Sequence, residues 1–333
     1  MKILNPTQTI FSVLLIAFWS CNNLGSTNVE NKESQSEDSM TVELVHDIQN
    51  ALGEGSIWNH KTGELYWVDI EGHALFTWDT KAKEPTKFEV GQHIGTVVPA
   101  IDGNIIIALR TGIFRLNPKT RDMTKFSQPE SDTAGIRMND GKCDPGGRFW
   151  VGSMHFDQIK YAANLFRIDH DGTTTKMLDS ITISNGINWS LDHKTMYYID
   201  TPDGNVKAFD YDNSTGDISN GRVVVTIPDT MGFPDGMTID AEGKLWIALW
   251  NGNSVTRWDP ETGKLLQTIK VPAHNVTSCA FGDDDLSTLY ITTARLDMTD
   301  EELEAMPYAG GVFKVKPGVK GVPAHFFGNP NPQ

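Results

Sequence analysis

The sequence predicts an all-β fold, a six-bladed β-propeller, and three observations carry that expectation. A strand core rich in aromatic and β-branched residues recurs six times. A second strand of one repeating form follows each core, and turn chemistry fills the gaps. The cores are "ELYWVD" from Glu64, "NIIIAL" from Asn104, "RFWVGS" from Arg148, "TMYYID" from Thr195, "KLWIAL" from Lys244 and "TLYITT" from Thr288. They return every ~40 to 50 residues, the period of a propeller blade. The partner strands are "ALFTWD" (74–79), "GIFRLN" (112–117), "NLFRID" (164–169), "NVKAFD" (205–210), "SVTRWD" (254–259) and "GVFKVK" (311–316). Turns such as "PKTRD", "DHDGT", "DNSTGD" and "DPETGK" supply the hairpins that four-stranded blades need.

In chain order, the N-terminus stands apart from the fold. After Lys2 comes "IFSVLLIAFWS", an apolar run of roughly ten residues, too short for a spanning helix of about 20 and suited to a secretory signal. It meets Cys21 and continues as the polar, acidic "NNLGSTNVENKESQSEDS", which has nothing to bury. This resembles a bacterial lipoprotein: signal peptide and lipobox over 1–21, a disordered tether over 22–41, and a propeller over 42–333. The residues before Cys21, "FWS", depart from the Leu and small residues of the usual lipobox. The expectation is an exported protein, lipid-anchored to a bacterial membrane on its periplasmic or outer face, with no other membrane contact.

Blades should run from about Val42 to Phe327, with the first folded strand pairing into the last blade so that no edge is left bare. Amphipathic helical spacing occurs only in "MTDEELEAM" (298–306), where Thr299 suits an N-cap. Hydrophobic content of 39% with 30 Gly and 16 Pro fits a turn-rich globular protein. The formal charge of −15, from 43 acidic and 28 basic side chains, disfavours nucleic acid as a partner. A monomer is expected.

Several chemistries are unsupported. Cys143 and Cys279 have no CxxC or metal-ligand spacing and read as buried thiols. The histidines show no HExxH or triad pattern, and "GKCDPGG" is neither a P-loop nor GxGxxG.

What remains is a segment upstream of each core: "LGEGSIW" (52–58), "IGTVVPAID" (94–102), "RMNDGKCD" (137–144), "ISNGINWS" (183–190), "FPDGMTID" (233–240) and "VTSCAFGD" (276–283). Four of them place an oxygen-bearing side chain before glycine, at Glu54, Asp140, Asn185 and Asp235. One Asp-Gly pair is an ordinary turn. Four in register are another matter, because the first strand of each propeller blade lines the central channel and equivalent positions converge there. Converging carboxylates repel and cost free energy to desolvate, so they call for a cation. Oxygen donors without Cys or His favour a hard ion, Ca²⁺ first, with Mn²⁺, Mg²⁺ or Zn²⁺ as substitutes. The glycines let the backbone crowd toward the axis.

"LGEGSIW", "RMNDGKCDPGGRFWVGSM", "ISNGINWSLDHKTMYYIDTPDGNVKAFDYD", "FPDGMTIDAEGKLWIALW" and "TTARLDMTDEELEAMPYAGGVFKV" together resemble the SMP-30/gluconolactonase/regucalcin-like (LRE) family. The resemblance implies one divalent cation at the channel mouth and hydrolysis of sugar lactones. It implies Glu54, Asn185 and Asp235 as metal ligands and Arg137 and Asn139 as substrate contacts. Asp157 falls where the family keeps a Glu that touches sugar hydroxyls, one methylene shorter here. Asp235 is the expected general base, and Asp140 is either a second base or a support for Asn139. Two other readings stand beside this one: a phosphotriesterase or aryl-esterase on the same metal site, and a non-catalytic anchored propeller that binds a glycan or protein.

Overall fold

A computed structural model describes residues 40–130 and 135–328; the signal peptide, the lipobox and nearly all of the tether lie outside the described residues. Among the described residues, 24 strands form six four-stranded antiparallel sheets. Five are built from consecutive strands. The sixth combines Asn275–Gly282, Thr288–Ala294 and Val312–Val315 with the N-terminal strand Glu43–His46, whose Leu44 pairs with Phe313. That pairing closes the ring and covers the edge of the last blade.

The six "core" segments of the sequence are the second strands, for example Glu64–Asp69 and Thr195–Asp200. The segments upstream of them are the innermost strands: Gly53–Asn59, Ile94–Pro99, Ile136–Cys143, Ser184–Trp189, Phe233–Ile239 and Asn275–Gly282. Each touches the inner strand of the next blade, around the full circle. The outermost strands, such as Thr174–Ile181 and Asp217–Thr226, are largely exposed. The capping box forms as its residues suggest. Thr299 Oγ1 accepts from Glu302 N, and Glu302 Oε2 accepts from Thr299 N, at the start of the helix Asp300–Ala305. Cys143 and Cys279 are buried free thiols.

Two blades are pinned by the same buried latch. Asp144 Oδ2 accepts from Trp150 Nε1 (2.9 Å) and Arg148 Nε (2.7 Å), and Asp240 Oδ2 accepts from Trp246 Nε1 (2.9 Å) and Arg257 Nε (2.7 Å). In each case a carboxylate just past the end of an inner strand fixes a tryptophan near the start of the second. Removing one partner leaves the others buried and unpaired, so Asp240→Ala is expected to destabilise the fold by about 3 kcal/mol. Urea unfolding checks this; a loss near zero would remove the latch from the account.

Candidate active site

All six inner strands slip register at the same level. The shifts fall between Glu54 and Ile57, Ile94 and Thr96, Met138 and Gly141, Ser184 and Ile187, Pro234 and Met237, and Val276 and Ser278. The X-Gly pairs therefore sit in β-bulges inside the strands, where a bulge re-aims a side chain out of the pleat. Glycine is required by close approach. A Cβ on Gly186 would lie 2.7 Å from Asp235 O, and one on Gly236 would lie 2.8 Å from Thr277 O.

The N-terminal halves of these strands end in a cleft of about 500 Å³ at one mouth of the channel. Glu54, Arg137, Asn139, Asn185 and Asp235 all line it and are all buried. A larger hollow of about 700 Å³ opens at the other mouth but contains none of the X-Gly oxygens, so the oxygen chemistry belongs to the smaller cleft.

The polar groups form a directed chain around the mouth. Arg137 Nη1 donates to Asn139 Oδ1 (2.6 Å), and Asn139 Nδ2 donates to Asn185 Oδ1 (2.9 Å) and Ser184 O (2.7 Å). Asn185 Nδ2 donates to Thr201 Oγ1 (2.7 Å), which donates to Pro234 O (2.8 Å), next to Asp235. Gly55 N donates to Glu54 Oε2 (2.7 Å), and the Glu54 and Asp235 carboxyls lie within hydrogen-bonding reach of one another.

Charge is concentrated here at a cost. Burial, reinforced by Asp140, pushes the Glu54 carboxyl up to about 7. Burial and then Glu54 push Asp235 well above the usual carboxylate range. Burial lowers the Arg137 guanidinium to about 10, against the pull of Glu71, Glu54 and Asp235. Asp235 Oδ1 is buried with no hydrogen-bond partner.

An orphaned buried carboxylate oxygen, a second carboxylate beside it and an amide oxygen whose orientation is fixed make a donor set that fits a hard divalent cation. Among the described residues no group of three or more His, Cys, Asp or Glu side chains is placed to hold a metal. The fitting set is two carboxylates and the Asn185 amide.

Two residues are placed differently from the sequence reading. Asp140 is buried but does not line the cleft. Its carboxylate accepts from Gly141 N (2.7 Å) and feels Lys142, deeper in the channel. The register slip puts Asn139, not Asp140, beside Asn185. Asp157 does not line the cleft either; its side chain is 84% exposed and its carboxylate lies 3.8 Å from His155 Nδ1. Gln158 and Lys160 of the same loop line the cleft instead. Asn139, expected to touch substrate, uses both amide hydrogens on protein oxygens, so its geometry serves to orient Arg137 and Asn185.

Thr201, Phe233 and Trp250 also line the cleft and are not singled out by the sequence, because they lie at or just beyond strand ends, where no X-Gly pair marks them. Only Thr201, directly after "TMYYID", carried a signal: a hydroxyl at the end of a strand whose neighbour bears a candidate ligand. Outer partners of metal ligands typically contribute 10- to 100-fold in affinity. Thr201→Val is therefore expected to weaken Ca²⁺ binding by about tenfold and Thr201→Ser to restore it, measured by calorimetry. Equal weakening in both variants would point to packing instead.

Comparison with known proteins places this geometry. Residues 52–295 match the family described as SMP-30/Gluconolactonase/LRE-like region. The chain is 41% identical to regucalcin of Danio rerio over 292 residues, covering 87% of this chain and 99% of that protein. It is 38% identical to a putative sugar lactone lactonase, YvrE, of Bacillus subtilis (strain 168) over 277 residues, covering 83% and 95%. Among solved structures, the calcium-binding protein regucalcin of Agrobacterium tumefaciens C58 superposes with a TM-score of 0.83 at 28% identity, covering 87% of this chain and 98% of that one.

Proposed function

This chain belongs to the SMP-30/gluconolactonase/LRE-like family, and on that premise we propose that it is a divalent-cation-dependent hydrolase that opens sugar lactones to aldonic acids. The observation that carries the reading is Asp235, whose buried, unpartnered oxygen faces the same cleft as Glu54 and Asn185. A relative named as a putative sugar lactone lactonase and another named as calcium-binding support it.

Glu54, Asn185 and Asp235 hold the cation in this proposal, with Ca²⁺ the first choice. When bound, it supplies Lewis-acid polarisation of the lactone carbonyl. Asp235 takes a proton from the attacking water as the water oxygen bonds to the carbonyl carbon. The ring C–O bond then breaks and the proton passes to the departing ring oxygen, leaving an aldonic acid. Arg137, fixed by Asn139, donates to substrate oxygen as negative charge develops. The cleft polar groups Gln158, Lys160 and Asn251 are suited to sugar hydroxyls. Export and lipid anchoring by the first 41 residues belong to the same proposal and would have the hydrolase meet small molecules outside the cytoplasm.

One observation favours a second reading. Leu52, Ile70, Met154, Phe233, Trp250 and Leu296 give the same cleft an apolar side, which suits aryl esters or phosphotriesters. A pH-stat panel of gluconolactone, other sugar lactones, phenyl acetate and a phosphotriester, each with Ca²⁺ and with chelator, tests both. Sugar lactones are expected to show the highest kcat/KM. A higher value for phenyl acetate would support the second reading, and acid release no faster than the spontaneous rate for any lactone would defeat the first.

A further inference from the structure

The C-terminal halves of the inner strands, which carry none of the chemistry above, end in the hollow of about 700 Å³ at the opposite mouth. Five basic side chains line it: His60, Lys61, Lys142, His193 and His325. No lining residue is Asp or Glu, in a chain whose 43 acidic side chains give it a net charge of −15. A single lysine on a rim is normally a solvated surface charge. Two lysines among basic side chains around one concavity, with no acid on its wall, give it a local field opposite in sign to the molecule as a whole.

One buried donor there has no acceptor. Lys142 reaches into the hollow from the channel, and its Nζ donates to Met237 O (2.6 Å). Trp189 is 2% exposed, lines the hollow, and its indole Nε1–H has no partner. A buried indole N–H normally finds an acceptor. Lys61 Nζ lies 5.0 Å above the Phe326 ring, and the His193 and His325 rings meet edge to face at 5.5 Å. Burial lowers His60, and burial and His193 lower His325 to about 4, so at neutral pH these two rings are uncharged; burial lowers Lys142 as well, against the pull of Asp140. Asp144, the acid that acts on His325, does not line the hollow and is paired with Arg148. The remaining wall is apolar and aromatic, with Trp58, Phe281 and Phe326 among its residues.

We propose that this hollow is a second small-molecule site, which binds an organic carboxylate with its charged end toward Lys61 and Lys142 and its carbon skeleton against the aromatic wall. Lysine side chains in a wall without acids attract a carboxylate. The apolar wall selects an organic skeleton over a small inorganic ion. The proposal does not rest on the lactonase reading.

The test is calorimetric titration of the full, Ca²⁺-loaded protein with benzoate and with benzamide, its uncharged counterpart. Because Lys142 also acts on Asp140 and Glu54, the variant is placed at the exposed rim, as Lys61→Gln, with far-UV circular dichroism confirming the fold. Benzoate is expected to bind at least about tenfold more tightly than benzamide, and Lys61→Gln to weaken it by about tenfold, the worth of one charge-assisted contact. Lactone hydrolysis is expected to be the same in Lys61→Gln as in the unmodified protein. The proposal is overturned if benzoate does not bind, if benzoate and benzamide bind alike, or if Lys61→Gln binds benzoate as the unmodified protein does. Binding that survives Lys61→Gln but is lost in Asp235→Asn would assign the carboxylate to the upper cleft and also overturn it.

Discussion

Asp235→Asn is expected to lower gluconolactone hydrolysis by at least about 10³-fold while leaving the propeller folded, since it removes both a cation ligand charge and the proposed base. The accompanying stability change separates a chemical role from a structural one. Asp235 is buried, faces Glu54, and has one oxygen without a partner. In the metal-free protein its charge is a burden on the fold, so a neutral isostere should unfold at the same temperature or higher. Loss of activity with unchanged or raised Tm supports the account. Near-normal activity removes Asp235 from the mechanism, and a large fall in Tm would make the lost activity a folding effect.

Chelation is expected to reduce hydrolysis to the spontaneous rate, and cation affinity should carry a pH dependence of known sign. Glu54 is raised from 4.5 to about 7 by burial and by Asp140, and Asp235 is raised by burial and by Glu54. A carboxyl with a raised folded pKa binds its proton more tightly in the folded state than in the unfolded one. Its contribution is therefore fully present below its unfolded pKa and lost as pH rises through its folded one. The metal-free protein should lose stability between about pH 4.5 and about pH 7, the interval between the ordinary and raised values for Glu54. Cation binding needs the same groups deprotonated, so affinity should climb over that interval and protons should be released. Ca²⁺ titrations at pH 5.5, 6.5 and 7.5 in buffers of different ionisation enthalpy measure both. A pH-independent affinity with no proton release would mean that the ligands are not these carboxyls.

Much of the architecture is legible in the sequence because a propeller repeats its physics. Each second strand is buried on both faces and reads as a continuous apolar run, as "KLWIAL" does, so the six runs count the blades. The outermost strands are not legible in the same way. Lys264–Lys270 and Met123–Ser127 face water on most positions, and no apolar period marks them. The site follows a similar division. Glu54, Asn185 and Asp235 are visible because each precedes a glycine at one level of its blade, and they share the cleft. The same rule places Asp140 with them, yet a bulge between Met138 and Gly141 brings its neighbour Asn139 to the mouth. Adjacent "ND" gives no sequence cue as to which residue a register slip will turn inward. Asp157 shows a related limit, since a one-residue change in loop path decides whether Asp157 or Gln158 faces the cleft.

The account rests most heavily on three oxygens from three blades meeting one ion. A crystal grown with Ca²⁺ and recorded at a long wavelength locates that ion by its anomalous signal. The predicted result is a single strong peak in the upper cleft, about 2.3–2.6 Å from a Glu54 carboxylate oxygen, Asn185 Oδ1 and Asp235 Oδ1. No peak there at saturating Ca²⁺, or a peak bound by other residues, would contradict the account.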